Sequence, residues 1–155
     1  IAKYIKNFAE QSRVFIDIGC ADGYYTSGIA ASTGVEKVVG VDISSKALAM
    51  AINSAEKNQV NSKCIFENDL SNALLHVENG CFIMIDVDGA EIEILNKVSR
   101  HIKTNRLRNI HVLIETDFDK SNQSNRECSR QPTRNYWGIL PNHIPSWFQT
   151  SFDNT

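Results

Sequence analysis

Five carboxylates, Asp17, Asp42, Asp69, Asp86 and Glu115, each stand at or just past the end of a short apolar run. An ionised carboxylate accepts hydrogen bonds from hydroxyls, holds cations and can take a proton during a reaction. Between the first two lies a loop with Gly19, Cys20 and Gly23, preceded by Val14-Phe15-Ile16 and followed by a segment of helical character. Glycine lets backbone N–H groups approach a ligand closely, and a helix start carries partial positive charge. A small polar ligand is expected there. The spacing fails the dinucleotide pattern G-x-G-x-x-G, because Ala21 and Tyr24 occupy the second and third glycine positions. It also fails the phosphate loop of nucleoside triphosphatases, since no lysine lies between Lys6 and Lys37.

The elements that must position these residues alternate regularly. An amphipathic helix over 1–12 with Ile1, Tyr4, Ile5 and Phe8 on one face precedes a strand ending near Asp17, and a helix follows over about 24–32. Lys37 to Asp42 reads as a second strand. Ser44 or Ser45 then caps a helix whose face carries Ala47, Leu48, Ala51, Ile52 and Ala55. Further strands are expected over about 63–67, 81–86 and 110–114, with a helix over about 89–102 between the last two. Continuous apolar strands alternating with helices predict a Rossmann-like, doubly wound α/β sheet, mainly parallel, with helices on both faces. Ligands of such sheets bind at the carboxyl edge, where all five acids would gather. Like charges collected on one edge cost energy unless a ligand, hydrogen bonds or solvent compensates. A cationic, hydroxyl-rich ligand fits.

Composition sets the outer bounds. The chain has 155 residues, 42% of them apolar, and a net charge of −2, as expected for one globular domain. No basic block suggests a nucleic-acid footprint, no apolar run is long enough to span a bilayer, and no signal pattern opens the chain, so a cytoplasmic location is expected. Cys20, Cys64, Cys81 and Cys128 are far apart and the four histidines isolated, so no metal site is predicted. Cys64 and Cys81 read as core residues, and Cys20 as a thiol in reach of a loop ligand.

Asp17, Gly19 and Gly23 form D-x-G-x-x-x-G, which resembles the first motif of class I S-adenosylmethionine-dependent methyltransferases. Gly23-Tyr-Tyr-Thr26, Ile83-Met-Ile-Asp-Val-Asp-Gly-Ala-Glu91 and Val112-Leu-Ile-Glu-Thr116 narrow the resemblance to the FkbM type, whose members carry I-D-x-E-G-x-E after the fourth strand. The likeness runs over about 13–116. Asp88 departs from it, standing where those proteins usually have glutamate, and 116–155 does not clearly supply their final helix and two strands.

The resemblance implies S-adenosyl-L-methionine as cofactor and a hydroxyl on a small molecule or carbohydrate as methyl acceptor, with no nucleic acid or membrane partner. It implies that Gly19 and Gly23 lie beside the methionine part, with Asp17 near its amino group, and Cys20, in the same loop, is expected to add a thiol contact to the cofactor. Asp42 would hold the ribose hydroxyls, Ile43 would cover the adenine ring, and Asp69 with Leu70 would face the adenine amino edge. Asp86 and Glu91 would be the catalytic carboxylates. Asp88 and Glu91 are also spaced as N-cap and N3 of a capping box, while Leu95, Val98 and Ile102 share the helix face of Glu91 and turn it inward. Transfer to nitrogen and a cofactor-binding module without turnover are the alternatives. One domain is expected over 1–155, with an N-terminal helix at 1–12, a cofactor-binding core at 13–116 and an irregular segment at 117–155. In that segment 117–135 reads as a mobile surface loop, Tyr136–Leu140 as one more strand, and Trp137 and Trp147 as packing near the sheet.

Overall fold

A computed structural model describes residues 2–116 and the strand 136–140. The expectations for 117–135 and for Trp147 lie outside the described residues, and the side chain of Trp137 likewise. Five strands, β1 (Val14–Ile18), β2 (Lys37–Val41), β3 (Cys64–Glu67), β4 (Cys81–Ile85) and β5 (His111–Thr116), pair in parallel, and β6 (Tyr136–Leu140) pairs antiparallel with β5. The sheet order is β3-β2-β1-β4-β5-β6. The chain therefore winds outward from β1 through β2 to β3, then returns to the other side of β1 at β4. That reversal opens a crevice at the carboxyl ends of β1 and β4.

Alternation along the strands divides the core between two faces. Phe15, Val38, Phe82, Met84 and Leu113 pack with α1 (Ala2–Glu10), α2 (Tyr24–Ser32) and the end of α3 (Ser45–Lys57), through Ile5, Ala9, Ile29, Ala30 and Ala55. Val14, Ile16, Val39, Ile83, Ile85, Val112 and Ile114 pack with α4 (Leu70–Leu74) and α5 (Glu91–Thr104), through Ala73, Leu74, Leu95 and Val98. With both faces covered, β1 and β4 are apolar at every position except Asp17, as a central parallel strand must be.

Three local features depart from the sequence expectation. In α1, Tyr4 is 67% exposed and Ala9 is buried in its place, because the buried stripe runs through Ile5, Phe8 and Ala9. In α3, Leu48, Ala51 and Ala55 are buried while Ile52 stays exposed. The short helix α4 was not expected; Asp69 caps it by accepting from the N–H groups of Ser71 and Asn72. Of the two serines expected to cap α3, Ser44 does so, accepting from Ala47 N–H at 3.3 Å. Cys81 is buried as foreseen, whereas Cys64 at the edge strand β3 is half-buried.

Candidate active site at the carboxyl edge of β1 and β4

Gly19 leaves β1 with φ +88°, a left-handed conformation that costs an L side chain strain. Its N–H and that of Cys20 both donate to the Val41 carbonyl, at 2.8 and 3.0 Å, so the loop is laced onto the end of β2. A Cβ at Gly19 would stand 1.8 Å from the Asp86 carbonyl oxygen. Only glycine lets the β1 and β4 loops approach this closely. Gly23, at φ +79°, plays the same part against α3, where a Cβ would stand 2.8 Å from Ala51. Cys20 turns its thiol inward beside Leu48 and Ala51. Burial first, then the charges of Asp17 and Asp42, push that thiol up to about 12.

Asp42 joins the two loops. Its Oδ2 accepts from Ala21 N–H at 3.1 Å and its Oδ1 from Ser44 N–H at 2.8 Å. A carboxylate has about four acceptor positions, so these bonds fix its direction while leaving capacity for a ligand. Next to it Ile43 is 95% exposed, an aliphatic side chain held in the open at the mouth of the crevice. Asp69 is exposed and Leu70 half-buried against the α4 face. Backbone N–H groups of α4 hold the Asp69 carboxyl below its ordinary value.

Asp17 is not at the rim. It is 1% exposed and one residue inside β1, where alternation places it on the α2 face. Thr26 of α2 donates its hydroxyl to Asp17 Oδ2 at 2.6 Å, while Oδ1 is buried without a partner. Burial, opposed by the Thr26 bond and aided by the charges of Asp86 and Asp42, raises this carboxyl to about 7.

Asp86 continues the β4 ladder by donating its N–H to the Ile18 carbonyl at 2.9 Å, and its side chain is partly exposed. Glu91 is also partly exposed and lies at the inward face with Leu95 and Val98. The expected capping box does not form: Gly89 has φ +77°, so the helix starts only at Glu91 with Ala90 as N-cap. Glu91 Oε1 instead accepts from Gly89 N–H at 3.1 Å and closes the turn between β4 and α5.

Two residues of this edge escaped the sequence reading. Thr26 sits in an apolar helix, and only the fold reveals Asp17 beneath it. Tyr25 is half-buried against the α2-side core and meets Tyr24 edge-on with ring centroids 5.1 Å apart. No cluster able to hold a metal ion occurs among the described residues.

The arrangement is that of a doubly wound α/β sheet with its crevice at the β1/β4 switch point, the place where such sheets take their ligands. The sequence pattern described as "Methyltransferase domain" matches residues 15–105, more than half of the chain. The chain belongs to that methyltransferase family. No curated protein sequence matches it. Among solved structures, an RNA methyltransferase from Salinibacter ruber in complex with S-adenosyl-L-homocysteine is 18% identical, with a TM-score of 0.57 over 93% of this chain and 92% of that one. An O-methyltransferase from Bacillus cereus, also in complex with S-adenosylhomocysteine, is 18% identical, with a TM-score of 0.57 over 74% and 56%. A precorrin 8w decarboxylase from Methanobacterium thermoautotrophicum is 20% identical, with a TM-score of 0.57; the chain spans 61% of its length. At such identities the common property is the fold. No described helix is long and apolar enough to cross a membrane.

Proposed function

We propose that the chain binds S-adenosyl-L-methionine at the β1/β4 crevice and transfers its methyl group to a hydroxyl of a small molecule or sugar. The observation that carries this reading is Asp42, pinned by Ala21 and Ser44 at the end of β2 with acceptor positions to spare. The residues present fit the cofactor. Asp42 would take the ribose hydroxyls through charge-assisted hydrogen bonds. Exposed Ile43 would lie against the adenine ring, with Asp69 and Leu70 at its edge. Gly19 and Gly23 would let the backbone reach the methionine part, which Cys20 would support from its buried anchor. Asp17, with an unpartnered oxygen and a carboxyl raised to about 7, would favour the cationic amino group in its ionised form.

When bound, S-adenosylmethionine supplies a methyl group already activated by its sulfonium charge. The protein then has to align the acceptor and remove its proton, and alignment alone can lower a barrier by roughly 7–11 kcal/mol. Asp86, on the β4 end against Gly19, is the proposed general base. Glu91 is proposed as the carboxylate that, through Gly89, shapes the turn facing the acceptor. The Ile83–Glu91 element, resembling the FkbM type, supports the hydroxyl acceptor. So does the acidic edge, which repels a polyanion.

Mass spectrometry of the purified protein should find S-adenosylmethionine or S-adenosylhomocysteine carried along, and added S-adenosylhomocysteine should raise the melting temperature while NAD does not. A flat melting response to S-adenosylhomocysteine would refute the reading. With an acceptor in hand, Asp86→Asn should cut methyl transfer by about 10²-fold, on the scale of a lost general base, with cofactor affinity little changed. Glu91→Gln should do the same if the Glu91 charge acts on the acceptor, and should be nearly silent if Oε1 only closes the turn.

A further inference from the structure

Among the described residues, none of the ion pairs involves Asp17. Its register partners are Gly40 on β2, which has no side chain, and Met84 on β4, which is apolar. A Cβ at Gly40 would stand 3.1 Å from Thr26 Oγ1 and 3.2 Å from Cys20 Sγ, so the hydroxyl and the thiol fill the space beside Asp17 that a larger residue would take. Thr26, wholly buried on α2, thereby reaches Asp17 Oδ2 at 2.6 Å. The titratable groups facing Asp17 come from every element around it. Asp86 at the end of β4 and Asp42 at the end of β2 act on it, and Cys20 in the loop and Tyr25 on α2 feel its charge in turn. Each of these is neutral or negative. A buried carboxyl in such company, with one hydroxyl donor and Oδ1 unpartnered, keeps its proton until a positive charge arrives.

Resting on the function proposed above, we infer that the cofactor's amino group binds in exchange for the Asp17 proton, and that Thr26 is the positioning residue whose hydroxyl steadies the carboxylate left behind. The balance is simple: the carboxyl gives one proton to solvent, the ammonium brings one positive charge, and the pair stays neutral overall. Because Oδ1 is covered, the ammonium does not take the proton's place on that atom. It acts from the Gly19–Gly23 loop, through a buried medium in which charge reaches further than in water. Thr26 assists because a hydroxyl bonds more strongly to a carboxylate than to a carboxylic acid, and so opposes the burial that lifts this group to about 7. Without that hydroxyl the proton leaves only at higher pH. The exchange also selects the ligand: a nucleoside with a cationic amino-acid tail draws on Asp17, and one that ends in a neutral group does not.

The test is calorimetry of the full chain with two probes: S-adenosylhomocysteine, and 5′-methylthioadenosine, which keeps adenine, ribose and thioether but lacks the amino-acid tail. A carboxyl at about 7 in the empty site and ionised throughout in the complex makes S-adenosylhomocysteine about tenfold weaker at pH 6 than at pH 8. Close to one proton should leave on binding at pH 6, read from the heats in buffers of different ionisation enthalpy. For 5′-methylthioadenosine the affinity should change less than twofold over the same range, with no proton released. Asp17→Asn should flatten the S-adenosylhomocysteine profile. Thr26→Val keeps the shape and removes the hydroxyl, so it should shift the profile upward, weakening S-adenosylhomocysteine threefold or more at pH 7 with the deficit shrinking toward pH 8.5; Thr26→Ser should restore it. A wild-type profile no steeper for S-adenosylhomocysteine than for 5′-methylthioadenosine, or binding without proton release at pH 6, would overturn the exchange. A Thr26→Val chain weakened equally at every pH would overturn the part given to Thr26. Failure of the wild-type chain to bind either probe at any pH would instead remove the methyltransferase reading, and the exchange with it.

Discussion

Replacing Asp17 with asparagine should change how stability depends on pH. The folded-state pKa is about 7 against an ordinary value of 3.8, so between those values the folded chain holds a proton that the unfolded chain has released. Stability from this group is therefore fully present below about pH 4 and is lost as pH rises through 7. Three units at 1.36 kcal/mol each set a ceiling of about 4 kcal/mol, and about 2–4 kcal/mol is the expected range. Asparagine keeps the size and an oxygen for the Thr26 hydroxyl but cannot ionise. In urea unfolding, Asp17→Asn should match the wild type or fall slightly below it at pH 4.5 and exceed it at pH 8. Taking the difference between the two proteins cancels every other titrating group. Parallel stability curves from pH 4.5 to 8 would refute the reasoning, because they would mean that Asp17 ionises in the folded chain as it does in water.

Asp42→Ala should abolish most of the melting shift given by S-adenosylhomocysteine, with a loss of about 1.5–3 kcal/mol for each charge-assisted hydrogen bond removed, measured by calorimetry. Gly19→Ala forces a Cβ onto the Asp86 carbonyl at a positive φ, so the soluble protein should melt well below the wild type or fail to fold, as differential scanning calorimetry would report. Cys20 and Cys81, both buried with thiols pushed up to about 12, should stay unmodified when the native protein meets iodoacetamide at pH 8 and peptides are mapped by mass spectrometry.

Where a strand carries its own pattern, the sequence was enough. Val38 to Val41 and Phe82 to Ile85 are apolar on both faces, so their places in a covered parallel sheet, and the acids just beyond them, followed from composition alone. Helix α4 has five residues, too few for a hydrophobic period, and Asp69 looks the same in a turn as at a cap. Asp88 and Glu91 have capping-box spacing, yet the left-handed backbone at Gly89 delays the helix by two residues. Asp17 was legible as an acid at the ligand edge but not as a buried one, because its environment comes from Thr26 on the overlying helix. Tyr25 was hidden for the same reason: its neighbours arrive from β4 and β5, remote in the chain.

The strand order also divides the site by the order in which it can assemble. The Asp42 side is built from β1 and β2 and the single helix between them, a short loop to close. The side with Asp86 and Glu115 exists only after Val14 has found Cys81 across everything between them, a contact whose chain-entropy cost makes it slow to form. A folding intermediate that holds β1, β2 and β3 would thus carry the Asp42 half of the crevice without its Asp86 half. Pulse-labelling hydrogen exchange should find amides of β2 protected before those of β5, so that the two halves of the crevice form in turn.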